Sequence, residues 1–503
     1  MRFWQNPEFV RYARAELRPV RMVTTGLLVL VICLLLGLIC WSSTSDQGRF
    51  YSVFYTTLLS VQGGVLSLWC LSSCGQAVVR EREMKTYDFL RTTRLTSAEL
   101  LIGKVLGTPI LGYFCFLCSL PVAVSVGLLA GHSVATLLWT YALILVFALF
   151  VAVCGLWLSM LVEKMTVSPA LVGLLLGGPL LLTGIGVAQS PFPGFAAITP
   201  LPALFALYDA NGFSQGNVVF QSAPVFGVEM PIVPLTLLLY ATFIAWPVLM
   251  LLRNLKNERS ELRLLSRAQA LAFAAYFHLL FCAFLDPLAV GAGGSSGIPA
   301  AGVSAVVVLL NGILLFAVAL ATLTPAEQLR RWWRMRTAGK ESYLAAQGPA
   351  WPWLIVTAAV GFCFLGATAL VFNRSGSLGN WHLGGAAALM LANLVYVIRD
   401  ASFLQWCMLT RLKQPVVKGS LYLILYYTAA GILASVFSTA SGSRETTVLD
   451  LLTPFRPFEG ESGSFGIRSV LYVGLGLQSI VIVLLWKAIS RRLARPATAG
   501  SAA

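Results

Sequence analysis

Apolar residues in this chain come in long unbroken runs, not in the three-and-four spacing of a half-buried helix or the alternation of a half-buried strand. A helix needs about 20 apolar residues to cross a hydrocarbon core. Runs of that size recur at 22–42, 52–75, 101–130, 134–162, 166–188, 233–252, 270–290, 300–323, 352–372, 383–398, 419–438 and 469–487. The expectation is an all-α polytopic membrane protein of about twelve transmembrane helices. The first run, from Met22 to Cys40, follows a basic segment, but it is too long and starts too late for a cleaved secretory signal, and it reads as the first crossing.

Polar punctuation places further elements between the runs. Ahead of the first lies NPEFVRYARAELR, where Asn6 can cap a helix and Pro7 suits its first turn. On a helical wheel Phe9, Val10, Ala13 and Leu17 share one face, and Arg11, Arg14, Arg18 and Arg21 the adjoining one. This predicts an N-terminal amphipathic interfacial helix with its arginines toward lipid phosphates. Between the second and third runs comes QAVVREREMKTYDFLRTTRLTSAELLIGK. Its first part reads as helix to about Phe89 or Leu90, a Thr-rich turn follows, and a second helix starts at a capping box in which Thr96 and Glu99 satisfy each other's amides. Leu95 and Leu100 would form the hydrophobic staple, which sets the angle of re-entry into the membrane. A rigid, polar, surface helix-turn-helix reads as a docking element.

Composition and charge sharpen this picture. Hydrophobic residues make up 58% of the chain and charged ones only 11%, less than half the share of an ordinary soluble domain. The net charge of +15 could signal nucleic-acid binding, but its placement argues otherwise. With a cytoplasmic N-terminus, the outer loops hold Arg49, Arg374, Arg444, Arg456 and Arg468, and the other 30 Lys and Arg fall on inner segments and span ends. Topology therefore accounts for the basicity, with both termini in the cytoplasm and no nucleic-acid partner. The ten cysteines lie in or beside spans, so no disulfide framework is indicated, and Cys115-x-x-Cys118 reads as packing inside an apolar run.

The architecture reads as duplicated. Each half holds six runs, a long basic segment after its second, and a Thr-Pro in its last outer loop, Thr199-Pro200 and Thr453-Pro454, 254 residues apart. The same offset carries Arg80 onto Arg334. Two six-helix pseudo-repeats are expected: a cytoplasmic helix over 1–21, permease units over 22–255 and 256–490, and a cytoplasmic tail over 491–503. The outer loops at 189–232 and 439–468 are long and rich in Pro, Gly and Ser, and ITPLPALFALYDANG is a candidate short helix on the outer face.

At REREMKTYDFLRTTRLTSAELLIGK the sequence resembles the permease subunits of ABC exporters of the type-2 class, here in a fused double-length form. The residues carrying the likeness are Glu81, Glu83, Thr86, Leu90, Leu95, Thr96, Glu99, Gly103 and Lys104. The NPEFVRYARAELR opening is similar to that family's N-terminal interfacial helix. The resemblance implies that Arg80, Glu81, Arg82, Glu83, Thr86, Asp88, Phe89, Leu90, Arg91 and Arg94 contact an ABC ATPase subunit, present in two copies. ATP and magnesium would then be bound by that partner, with no cofactor in this chain, and the localisation would be the cell's inner (cytoplasmic) membrane. The second half's LRRWWRMR departs from the acidic-Thr-Leu pattern, which points to asymmetric coupling.

No G-x-x-x-x-G-K-[ST] phosphate cradle occurs, so this sequence offers no ATP hydrolysis by that route, and on the exporter reading the ATPase comes from another polypeptide. The competing readings are an ATP-independent secondary transporter and a non-transporting membrane scaffold. An ion-coupled carrier would place charges at bilayer depth, but the acids read as lying near span ends, leaving His278 as the clearest mid-span ionisable group. Gln62, Asn311, Asn393 and Gln478 also fall within spans, where they either join helices by hydrogen bonds or line a substrate path. Three histidines without clustered carboxylates leave little for an enzyme or a metal site.

Overall fold

The computed structural model describes residues 5–44, 47–161, 197–209, 222–226, 228–257, 265–284, 300–345, 347–374, 383–410, 412, 415–441 and 465–494. The chain divides into two units, Met1–Glu258 and Arg259–Ala503. Among the described residues, seven helices are long and apolar enough to cross a membrane, or eight if a bent pair counts as one span. The expected crossing at 166–188 lies outside the described residues, as does Thr453-Pro454.

The first unit opens with α1 (Pro7–Glu16) and α2 (Pro19–Ser43), each with Pro in its first turn. There follow α3 (Gln47–Glu83), α4 (Tyr87–Thr92), α5 (Ser97–Gly107), α6 (Ile110–Leu129) and α7 (Val134–Leu161). The expected single span from 101 to 130 is instead two helices. Pro109 lacks an amide hydrogen and stands as N-cap of α6, so α5 ends at Gly107 and the crossing begins at Ile110. The core of the unit is α3 against α7. A Cβ on Gly155 would lie 2.9 Å from the Leu71 carbonyl oxygen, so glycine there lets the two backbones meet. Ser159 Oγ accepts from the amides of Val78 and Val79 at the same seam.

Beyond 197 the candidate outer helix is present as α8 (Pro200–Asp209), and Tyr208 on it meets Tyr55 of α3 and Thr140 of α7 through hydroxyls at 3.0 and 2.6 Å. The all-α expectation needs one amendment. Strands β1 (Ser222–Val225) and β2 (Val228–Pro231) form an antiparallel hairpin with Val225 opposite Val228 and Phe226 left-handed at φ 51°. It hands the chain to α9 (Ile232–Asn254).

The second unit comprises α10 (Arg267–Phe284), α11 (Ala300–Thr322), α12 (Ala326–Thr337), α13 (Trp351–Arg374), α14 (Leu383–Met408), α15 (Pro415–Ser441) and α16 (Phe465–Ala494). Where the first unit has a helix-turn-helix, the second turns through 82° at Leu323–Pro325 and continues as one amphipathic helix, α12. Leu329 and Trp332 of α12 are buried with Leu409, Ile489 and Leu493. The bend is pinned from several sides. Arg267 donates to Thr324 Oγ1 (3.1 Å) and to the Gly348 carbonyl (2.8 Å), and Gln405 donates to the Thr324 carbonyl (2.8 Å).

One boundary differs with consequence. The run ending at 398 continues as helix to Met408, so Arg399, assigned by charge to an inner span end, lies with Asp400 inside α14. Helical rise puts Arg399 roughly 13 Å before the end of that helix.

Candidate coupling site

The polar segment between α3 and α6 is built in three layers. At the end of α3 the helix does not run on to Phe89. It stops at Glu83, with Lys85 left-handed at φ 56°, and the amides of Lys85 and Thr86 return to the carbonyls of Arg82 and Glu81. This is the double hydrogen bond of a Schellman stop, made without its usual glycine. The chain then restarts as α4, and the Thr96–Glu99 capping box opens α5 with both reciprocal bonds formed, Glu99 to the Thr96 amide at 2.8 Å and Thr96 Oγ1 to the Glu99 amide at 3.2 Å. The Thr96 amide and hydroxyl, both donating to the Glu99 carboxylate (2.8 and 2.9 Å), hold that carboxyl below the ordinary glutamate value.

One side of α4 is fixed. The buried Tyr87 donates to the Leu255 carbonyl at 2.8 Å, and Arg91 Nε donates to that of Lys256 at 3.2 Å, tying α4 to the end of α9. Arg82 donates to the Met160 carbonyl at 2.9 Å and lies over the Tyr87 ring. Burial pushes the Tyr87 phenol up, against the opposing charges of Arg82 and Lys104. The other side is open at Phe89, 73% exposed, and Asp88; the flanking turns expose Met84 (54%), Thr86 and Arg94, and the end of α3 exposes Arg80 and Glu83. Leu90 is buried and Arg91 half-buried, bonding Asp88 at 3.1 Å.

Glu81 is not on that open surface. It is 3% exposed, and both its oxygens accept from Lys104 Nζ at 2.6 Å. Lys104, 1% exposed, also donates to Glu8 at 3.0 Å, and Arg11 bridges Glu8 (2.8 Å) and Glu81 (2.9 Å). Tyr12 donates to Glu81 at 3.4 Å, and Asn6, which caps α1, also donates to the Glu99 carbonyl at 2.6 Å. Burial alone would push the Lys104 ammonium down. The negative groups around it, Tyr12 when ionised, Glu81 and Glu8, outweigh that and hold it above the ordinary lysine value.

Glycine makes this approach possible. A Cβ on Gly103 would fall 2.6 Å from the Glu8 Cβ, and one on Gly107 would fall 3.0 Å from the Tyr12 ring. The face of α1 that packs on α5 is therefore its polar one, through Asn6, Glu8 and Tyr12, while Phe9, Val10, Ala13 and Leu17 are only half-buried. Arg11 is engaged with carboxylates of its own chain, which differs from the expected row of arginines toward lipid phosphates. The legible signals were the Asn6 cap and the Gly103-x-x-x-Gly107 spacing.

The in-span polar residues are paired within their own units. Gln62 donates to Ser119 at 2.7 Å, joining α3 to α6, and its Oε1 has no hydrogen-bond partner among the described residues. His278 bonds the Ala274 carbonyl through Nδ1 (2.7 Å), and its Nε2 lies 3.0 Å from Asn311 Oδ1; Gly361 leaves room for the ring, and Asn393 lies beside Gly312. Gln478 accepts from Arg399 at 2.9 Å.

Arg399 heads a constellation that the hydropathy pattern hid. It is 6% exposed and Asp400 3%. Arg399 donates to Asp400 through Nε and Nη2 (2.8 and 2.7 Å) and to Tyr427 (2.8 Å), Tyr426 (3.3 Å) and Gln478, so one guanidinium joins α14, α15 and α16. Tyr427 in turn donates to Asp400. Tyr396, Tyr426 and Tyr427 surround the cation with ring centroids 5.0–5.6 Å away.

Residues 8–202 match the family model described as ABC-2 type transporter. No curated protein and no solved structure gives a match. The matched stretch starts at the second residue of α1, runs through α7 with every residue of the coupling segment, and ends within α8. Together with the apolar helices it supports a multi-pass membrane protein that carries an ABC-2 type transport domain over that stretch.

Proposed function

We propose that this chain, whose first half carries an ABC-2 type transporter membrane domain, is the membrane subunit of an ATP-driven export system and takes its energy from a separate ABC ATPase at α4. The supporting observation is the exposed pair of Phe89 on α4 and Met84 in the turn before it; the opposite side of α4 is bonded to the end of α9, and its Tyr87 ring lies under Arg82 of α3, which is bonded to α7. An apolar anchor ringed by charge is the composition of a docking hot spot. Its rigid base would pass a partner's motion on to the crossings.

Arg80, Glu83, Thr86, Asp88 and Arg94 form the polar rim in this reading, and Glu81 and Lys104 hold the base together without touching the ATPase. Two ATPase copies, cytoplasmic termini and outward transport complete it. Phe89→Arg should abolish co-purification with the ATPase and its stimulation by the permease, while size-exclusion profile and unfolding temperature stay as in the wild type. Unchanged co-purification would remove the assignment.

The Arg399–Asp400 pair favours one other reading, a carrier driven by an ion gradient, because charge at this depth is retained for function or for assembly. Proteoliposomes separate the two. Transport that needs ATP and a hydrolysis-competent partner supports the exporter; transport that follows a proton or sodium gradient without ATP supports the carrier.

A further inference from the structure

α12 carries a second surface of a different kind. Arg330, Arg331 and Arg334 are exposed on the side opposite the buried Leu329 and Trp332, with Lys340 exposed just beyond the helix. Among the described residues, none of these three arginines lies within ion-pair distance of an acid, whereas Arg336 is held over Tyr343 and bonds the Glu341 carbonyl. Three like charges within five residues repel one another, and an anionic partner would relieve that repulsion.

Two observations set the depth of this face. The helix starts four residues after the span that ends at Thr322 and is bent from it by 82°, so a span along the membrane normal lays α12 nearly in the bilayer plane. Around its buried side stand Trp332, Trp333, Tyr343, Trp351, Trp406 and Trp486. Such a group of Trp and Tyr at a helix end marks the headgroup level. Arginines at that level, immediately beside a span, meet lipid phosphates before they meet a soluble protein. The surface also lacks what a protein partner would use, since Met335 is its one large exposed apolar residue, against Phe89 on α4 and Met84 in the turn before it.

We propose that the Arg330–Arg331–Arg334 face of α12 is a binding site for anionic phospholipid headgroups. Native mass spectrometry of the full-length protein, stripped of lipid in detergent and titrated with phosphatidylglycerol or phosphatidylcholine of the same chain length, tests this. The wild type should retain phosphatidylglycerol preferentially. The Arg330→Gln/Arg331→Gln/Arg334→Gln variant should lose about tenfold or more of that retention, and the corresponding triple Lys variant should keep most of it. These side chains are exposed, so the unfolding temperature should not change. Equal retention of both lipids by the wild type, or undiminished phosphatidylglycerol retention by the Gln variant, overturns the proposal. So does a Gln variant that keeps its lipid but loses an acidic protein partner, which would make the face a protein-docking surface.

Discussion

The α4–α5 segment of the first unit and α12 of the second follow the second run of their respective halves, yet they are stabilised by opposite means. α5 is held by buried charge: Lys104 lies between Glu8 and Glu81, with Arg11 outside them. α12 is held by indole packing, with Trp332 fully buried and its nitrogen donating to the Ser342 carbonyl at 3.0 Å. The exposed faces are inverted in the same way, apolar at Phe89 and Met84 in the first unit and cationic in the second. A buried ion network fixes geometry because each charge is stable only with its partners in place. An aromatic cluster tolerates small shifts. The first segment is therefore built to hold an angle, the second to hold a depth.

The largest expected effect breaks the first half of that comparison. Lys104→Met leaves two buried carboxylates facing each other without their ammonium, at a cost of about 3–5 kcal/mol. Thermal unfolding in detergent should register it, and adding Glu81→Gln should recover part of the loss. If the double variant is no more stable than the single one, charge is not what joins α1, α3 and α5. Gly103→Ala comes next, about 1–3 kcal/mol, because its Cβ would meet Glu8 at 2.6 Å and push α1 away; disulfide trapping between cysteines placed on α1 and α5 would report the widened gap.

Thr96→Ala should cost about 1 kcal/mol by removing the N-cap. Since the folded state holds the Glu99 carboxyl below its ordinary value, the contribution of the capping box is present above about pH 4.3 and is lost as pH falls through the folded value. The wild type should lose stability over that window by more than Thr96→Ala does. Smallest of all, Arg334→Gln on α12 should change unfolding by no more than about 0.5 kcal/mol, since its side chain is exposed. A loss comparable to that of Lys104→Met would show that both segments rest on charge after all.

What was legible in the sequence was local. Asn6-Pro7 and Thr96-x-x-Glu99 announce their helix starts because cap and amide lie within three residues. Pairings across the chain left no such trace: Glu81 meets Lys104 from 23 residues away and Arg11 from 70, so Glu81 read as surface charge. The stop at Lys85 was hidden because a lysine takes the left-handed position that glycine usually marks. Hydropathy ended a crossing at Ile398 because two charges follow, although those charges neutralise each other inside the helix. Trp332 stood in a run of arginines that hid its burial.

The adjacency of Arg399 and Asp400 also bears on how the second unit is made. During synthesis α14 emerges before α15 and α16, when neither Tyr427 nor Gln478 exists to receive a guanidinium. Because its anion is the very next residue, α14 can enter the bilayer already neutral. The later helices then need supply only hydroxyls and an amide, and can assemble onto it in the order in which the ribosome delivers them.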